Sequence, residues 1–243
     1  MSNDRILTSR SVPGEPGITA RPIAVRFGTG EIAYSYIDDV LLTTTVDKIL
    51  AYAKRNEKAF RPSKVLDGIV TETRKSISHE PFKAYGKIVI DLLHQNFETI
   101  CWSLDVAQFE ISKIECQMTF HRDGEYFKIH KDNRGLVTRS RCLSYVYYFH
   151  DEPKRYSGGE LYLYRDDPES NKLDKTSRLE MIPKRNRIVF FRSNVYHEVA
   201  KVECPTTGLS GARGTIAGWI RTYDFNVIEA MSGLPAQRFR RSA

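Results

Sequence analysis

The sequence predicts an α+β, mainly β fold: a closed or double-sheet antiparallel structure of jelly-roll or barrel type, with two N-terminal helices packed on one outer face. Two amphipathic helical segments come first in the chain. From Ile111 onward the character changes to short runs rich in β-branched and aromatic residues, separated by Gly, Pro, Asp and Asn. Regular short strands with turn residues between them are the pattern of an antiparallel barrel or sandwich. At 243 residues, one such domain with added helices is the expectation.

Residues 1–22 are rich in Ser, Pro, Gly and Arg without apolar periodicity, and are expected to be a flexible N-terminal arm, mobile or extended over the core. A single domain at residues 23–230 follows, its core at about 111–225, and residues 231–243 form a basic C-terminal tail ending in QRFRRSA. In DDVLLTTTVDKILAYAKRNEKAF, Val46, Ile49, Leu50, Tyr52 and Ala53 recur at helical spacing, opposite Lys48, Arg55 and Lys58. In HEPFKAYGKIVIDLLHQNFETICWSL, Pro81 suits a first turn, and Phe82, Ile88, Leu92 and Phe97 share one side. The runs ISKIECQMTF, EYFKIH, RCLSYVYYFH, GGELYLYR, RIVFFRS, EVAKV and GTIAGWIRTYDF then read as about seven or eight strands.

Composition narrows the function classes. A 41% apolar and 28% charged chain is a folded protein, not a disordered one. No segment reaches the roughly 18 consecutive apolar residues of a membrane helix, and the N-terminus lacks the apolar stretch of an export signal, so cytoplasm is the expected location. Four cysteines without a CxxC pair are read as reduced thiols without a chemical role. The net charge of +7 lies partly in the C-terminal tail, read as a solvated end and not as a nucleic-acid arm. Oligomeric state is not legible.

Chemistry concentrates in FKIHKDNRG. On a strand, residues two apart face the same side, so His130 and Asp132 project an imidazole and a carboxylate into one volume. By itself this pair suits a solvated strand edge as well as a metal clamp. With His197 from NVYHEV the set becomes two histidines and one carboxylate, an arrangement that leaves open positions on iron(II) for oxygen chemistry. Arg213 opens the strand RGTIAGW, where a guanidinium can pair with a carboxylate. Tyr148 offers a hydroxyl from an apolar strand.

These blocks, FKIHKDN, RCLSYVYYFH, YSGGELYLY, IPKRNRIVFFRSNVYHEVAKV and RGTIAGWI, in that order, resemble the catalytic core of the iron(II) and 2-oxoglutarate dependent dioxygenases, specifically the prolyl 4-hydroxylase-like group. The resemblance spans about Ile114 to Trp219, and VTETRKSISH resembles a segment that precedes the second helix there. It implies a double-stranded β-helix (jelly-roll) core, with His130, Asp132 and His197 binding iron and Arg213 and Tyr148 holding the far carboxylate of 2-oxoglutarate. Dioxygen is the further co-substrate, with ascorbate as a reductant. Counting by twos adds Ser144 and Val146 from the Tyr148 strand, and Thr215, Ala217 and Trp219 from the Arg213 strand, to the co-substrate pocket, with plain core packing the equal alternative for Val146 and Trp219.

The reaction implied is hydroxylation of an unactivated C–H bond of a proline-like or other amino-acid residue in a peptide or protein, with succinate and carbon dioxide as co-products. A free amino acid or small natural-product intermediate is the alternative substrate. With Asp132 in place, halogenation, which needs a vacated metal position, is not expected. An AlkB-like nucleic-acid dealkylase is disfavoured because Arg213 and Arg221 are too far apart for that branch's arginine pair. An intact triad with its arginine argues against a non-catalytic binding module. By the parity of His130, Tyr126 and Lys128 are candidates for the substrate rim, as are Arg134 and Arg139 in the next loop, although a solvated surface role is the favoured reading for each. His121, where relatives place a tyrosine, is read as a solvated loop residue or a substrate contact. Gly158 and Gly159 are read as a tight turn or close approach, and ECPTTGLSGA as an extended hairpin tip near the pocket mouth.

Overall fold

The computed structural model describes residues 5–9, 23–28, 32–64, 72–80, 82–167, 170 and 172–232. The first half of the chain contributes β1 (Arg5–Ser9), β2 (Ile23–Gly28), β3 (Tyr34–Ile37), α1 (Thr43–Arg55), β4 (Arg61–Pro62), β5 (Arg74–Lys75), β6 (Ile77–His79) and α2 (Lys83–Ser103). Next come β7 (Lys113–Ile114), β8 (Gln117–His121), β9 (Tyr126–His130), β10 (Arg141–Phe149), β11 (Ser157–Gly158) and β12 (Leu161–Tyr164). The chain continues through β13 (Leu179–Met181), β14 (Ile188–Arg192), β15 (Tyr196–Val199), β16 (Val202–Glu203), β17 (Arg213–Arg221) and α3 (Phe225–Ser232). The protein is therefore mostly β with two long helices, as composition and periodicity predict, and α3 is an addition.

The larger sheet runs β1-β2-β3-β14-β10-β17-β8-β6-β4, with β7 paired to β17. The smaller runs β13-β12-β15-β9-β5, and β11 with β16 makes a two-stranded ribbon. All pairings are antiparallel. Arg5–Ser9, inside the expected flexible arm, is thus a strand paired with β2. The rest of residues 1–22, and residues 233–243 of the expected tail, lie outside the described residues.

Strand alternation divides the larger sheet into two faces. Leu143, Tyr145, Tyr147 and Phe149 of β10 join Ile188 and Phe190 of β14 and Ile216 and Ile220 of β17 against both helices, which contribute Val46, Ile49, Val89, Leu92 and Leu93. The intervening residues Tyr148, Val189 and Phe191 face Leu161 and Leu163 of the smaller sheet. Burial on both faces explains why these strands read as continuous apolar runs. Each such side chain contributes about 1.5–3 kcal/mol. Asn186 fixes the approach of α1 to the sheet: its Oδ1 accepts from Leu41 N at 3.0 Å and its Nδ2 donates to Leu41 O at 2.7 Å.

The chain between β16 and β17 is not a free hairpin tip. Leu209 is buried in the helix-side core, its N–H donates to Glu57 Oε1 at 3.2 Å, and Gly211 N–H donates to Asp151 Oδ2 at 2.9 Å. An apolar Leu209 between acceptors on two other elements gains more from docking than from solvent. No helix among the described residues is long and apolar enough to cross a membrane.

Candidate metal and co-substrate site

His130 ends β9, Asp132 follows two residues on, and His197 lies on β15 directly opposite His130. One ligand atom from each lies within 4.8 Å of the others. Asp132 bridges the imidazoles, with Oδ1 3.5 Å from His130 Nε2 and Oδ2 3.3 Å from His197 Nε2. His130 Nδ1–H donates to Lys128 O at 2.8 Å, and His197 Nδ1–H donates to Val195 O at 3.0 Å. A carbonyl only accepts, so the proton sits on Nδ1 and both Nε2 lone pairs are presented to the shared volume. Ser144 Oγ donates to Asp132 Oδ2 at 2.7 Å and orients the carboxylate.

Burial pushes the Asp132 carboxyl up, but the two histidines outweigh it and hold it well below the ordinary range. His197 is also buried, which lowers its pKa, yet Asp132 raises it overall; His130 is lowered by burial and by His197. Two neutral-capable imidazoles and a firmly ionised carboxylate are a donor set suited to a divalent transition metal.

The triad opens into a cavity of about 570 Å³, counting the part open to solvent. Its second feature is Arg213, only 1% exposed. Arg213 Nε donates to Gly159 O at 2.7 Å and its guanidinium lies 5.0 Å over the Tyr148 ring. Neither Arg213 Nη2 nor the Tyr148 hydroxyl, both buried, has a hydrogen-bond partner of good geometry among the described residues. An interior guanidinium with an idle donor is costly unless an anion meets it. A carboxylate arriving between triad and guanidinium satisfies both needs.

Comparison with known proteins agrees with this geometry. Residues 116–221 match the family model described as 2OG-Fe(II) oxygenase superfamily. That segment belongs to the 2OG-Fe(II) oxygenase superfamily. The superfamily's cofactors are iron(II), 2-oxoglutarate and dioxygen, and both the triad and the idle guanidinium fit them. An uncharacterized PKHD-type hydroxylase of Synechocystis is 34% identical over 186 residues, which cover 74% of this chain and 58% of the relative. The chain thus spans less than two thirds of that relative's length. A Pseudomonas putida prolyl-4-hydroxylase shares the fold at a TM-score of 0.57 and 18% identity, covering 80% of this chain and 95% of its own. A prolyl hydroxylase of Trichoplax adhaerens, solved with a hypoxia inducible factor peptide fragment, aligns at a TM-score of 0.55 and 17% identity over 84% and 87% of the two chains.

Within the cavity, Ser144, Val146, Thr215, Ala217 and Trp219 all line the wall, as strand alternation predicts. Ser144 is occupied with Asp132, and Tyr148 sits behind Arg213 instead of on the wall. His121 is not a solvated loop residue: it is the last residue of β8, paired with Arg213, 3% exposed and on the cavity wall. Burial, Arg213 and Arg74 hold its pKa well below the ordinary value, so it is a neutral imidazole. Tyr126 and Lys128 do not line the cavity; Phe127 does, stacked on His130 with ring centroids 3.6 Å apart. The cause is a register shift: His197 pairs with His130 and Val199 with Phe127, so β9 carries one extra residue and its parity reverses. Arg134 and Arg139 are exposed outside the cavity wall, and Arg134 is engaged with Tyr196.

Sequence reasoning did not find Gln117, Thr119 or Arg74 on the wall. The first two share the parity of His121 on β8, a signal that was present in the strand. Gly158 and Gly159 do serve close approach: both have positive φ (68° and 71°), and a Cβ on Gly159 would lie 2.6 Å from Arg213 Cδ. Burial raises the thiols of Cys101, Cys116 and Cys142, to about 12, 11 and 12, which leaves them inert.

Proposed function

We propose that this chain is an iron(II) and 2-oxoglutarate dependent hydroxylase acting on a C–H bond of a proline-like or other amino-acid residue. The observation that carries it is the idle Arg213 Nη2, buried in the same cavity as the His130–Asp132–His197 triad. When bound, iron(II) with 2-oxoglutarate and dioxygen supplies the oxidation, in which one oxygen atom enters the C–H bond and the co-substrate leaves as succinate and carbon dioxide.

The chain's own residues do the placing. His130, Asp132 and His197 would hold the metal, with Ser144 and the Lys128 and Val195 carbonyls fixing their orientation. Arg213 receives the far carboxylate of 2-oxoglutarate, with Tyr148 assisting from behind the guanidinium, while Thr215, Val146 and Trp219 line its channel. Phe127, Phe191 and Leu161 exclude water from the reacting volume. The two sheets are read as a jelly-roll, in a single domain at residues 23–230, and free thiols suit a cytoplasmic setting. A peptide substrate is supported by the peptide bound to the Trichoplax neighbour.

The test is succinate formation from 2-oxoglutarate by purified protein with iron(II) and ascorbate, together with a peptide and amino-acid screen for gain of one oxygen by mass spectrometry. Failure to bind iron, with no succinate from any candidate, would sink the reading.

A further inference from the structure

The cavity holds a second guanidinium that the reading above leaves without work. Arg74, on β5, lies opposite Phe127 of β9 and outside the segment matched to the superfamily. Its Nε donates to Ser76 Oγ at 2.9 Å, its Nη2 donates to Gln117 Oε1 at 3.2 Å, and its Cζ lies 4.9 Å from the Phe127 ring centroid. Phe127 in turn stacks on the metal-site histidine His130. The guanidinium is therefore held on three sides by neutral groups, next to the triad. Among the described residues no carboxylate lies within ion-pair range of it. Arg141 makes the contrast: stacked on Trp219, it is paired with Glu115 at 2.6 Å.

Charge counting points the same way, and rests on the proposed function. Asp132, a divalent metal, Arg213 and Arg74 sum to three positive charges, and the 2-oxoglutarate dianion leaves one positive charge in a secluded volume. Burial draws the Arg74 pKa down to about 10, opposed by Asp132, so it remains cationic at neutral pH. A preformed planar fork with neutral neighbours and an uncompensated charge is built for a carboxylate.

We propose that Arg74 receives a carboxylate of the substrate, so that the hydroxylated C–H bond belongs to a molecule or residue carrying a carboxylate close to that bond. The carboxylate can come from a free acid or from an acidic side chain in a peptide. Gln117 Oε1, which accepts from Arg74 on the cavity wall, holds the guanidinium in place for it.

The experiment uses full-length protein loaded with cobalt(II) and 2-oxoglutarate without oxygen, and reads binding by calorimetry. One arm compares N-acetyl-L-proline with N-acetyl-L-prolinamide; the other compares the blocked peptides Ala-Asp-Pro-Ala and Ala-Asn-Pro-Ala. The expected result is that in one arm the acid binds wild type about tenfold more tightly than its amide, a preference that Arg74→Gln abolishes and Arg74→Lys partly keeps. Which arm responds identifies the source of the carboxylate. No acid preference in wild type, including no binding by either acid, overturns the proposal, as does a preference that survives in Arg74→Gln. So does an Arg74→Gln protein that melts normally but loses 2-oxoglutarate binding, since Arg74 would then serve the co-substrate. Wild type that fails to bind 2-oxoglutarate removes the hydroxylase reading itself, and this inference with it.

Discussion

Replacing Gly159 by alanine tests the co-substrate pocket through a residue that carries no functional group. Gly159 has φ of 71°, and an added Cβ would lie 2.6 Å from Arg213 Cδ and 3.0 Å from Val202 Cγ2. The left-handed backbone costs an alanine about 1–2 kcal/mol. Arg213 Cδ must also retreat by roughly an ångström to restore van der Waals contact, which withdraws the guanidinium from its bond to Gly159 O. A hydrogen bond to a charged group contributes about 1.5–3 kcal/mol, so 2-oxoglutarate affinity should fall roughly tenfold to a hundredfold. Calorimetric titration of the cobalt(II)-loaded protein measures it, and a melting curve monitors the fold. Gly158→Ala is the control. Its Cβ would lie 2.1 Å from Lys201 O, a clash with backbone, so it should destabilise the β11–β16 ribbon by about 1–3 kcal/mol without selective loss of 2-oxoglutarate. A folded Gly159→Ala protein that binds 2-oxoglutarate within about twofold of wild type would refute the assignment of Arg213 to the co-substrate.

Other perturbations report on the metal end. Ser144→Ala removes the donor to Asp132 Oδ2 and should weaken metal affinity by about 10–100-fold, read by competition with a chelator; unchanged affinity would show that Asp132 orients itself. In the metal-free protein, burial lowers the His197 pKa but Asp132 raises it overall, so the pair's stabilisation is complete below the unfolded value of about 6.5 and is lost as pH rises through the raised folded value. The melting temperature of apo protein should therefore drop as pH rises from about 6.5 to 9, and Asp132→Ala should flatten that slope; an equal slope in the variant contradicts the coupling. Asp132 itself, held low by both histidines, contributes stability above about pH 3.9 that is lost as pH falls through its depressed value. Phe127→Ala, which removes the stacked partner of His130, should lower metal affinity several-fold, about 1 kcal/mol, whereas Lys128→Ala should leave it unchanged; the opposite ranking would contradict the register shift in β9.

The parts of the site that could be read from sequence are those governed by strand alternation alone. His130 and Asp132 two apart, Ser144 and Val146 on β10, and Arg213, Thr215, Ala217 and Trp219 on β17 all keep regular parity, so counting by twos places them on one wall. Parity failed at Tyr126 and Lys128 because a bulge is invisible until the partner strand is known: only the pairing with β15 shows three steps of β9 set against two. His121 needed the end of β8 to be located, and that end is fixed by its pairing with Arg213 a long way down the chain. Arg74 lay beyond reach for another reason. β5 and β6 have two and three residues, too few for any periodicity, yet β5 pairs with β9 of the smaller sheet and β6 with β8 of the larger. Their joint span crosses the open corner between the sheets and carries one guanidinium into the cavity with it. The matched segment carries the His130–Asp132–His197 triad and Arg213, while Arg74 reaches the same cavity from an element outside that segment. A side chain on so short a bridging strand can therefore reach the cavity wall without leaving a periodic signal in the sequence.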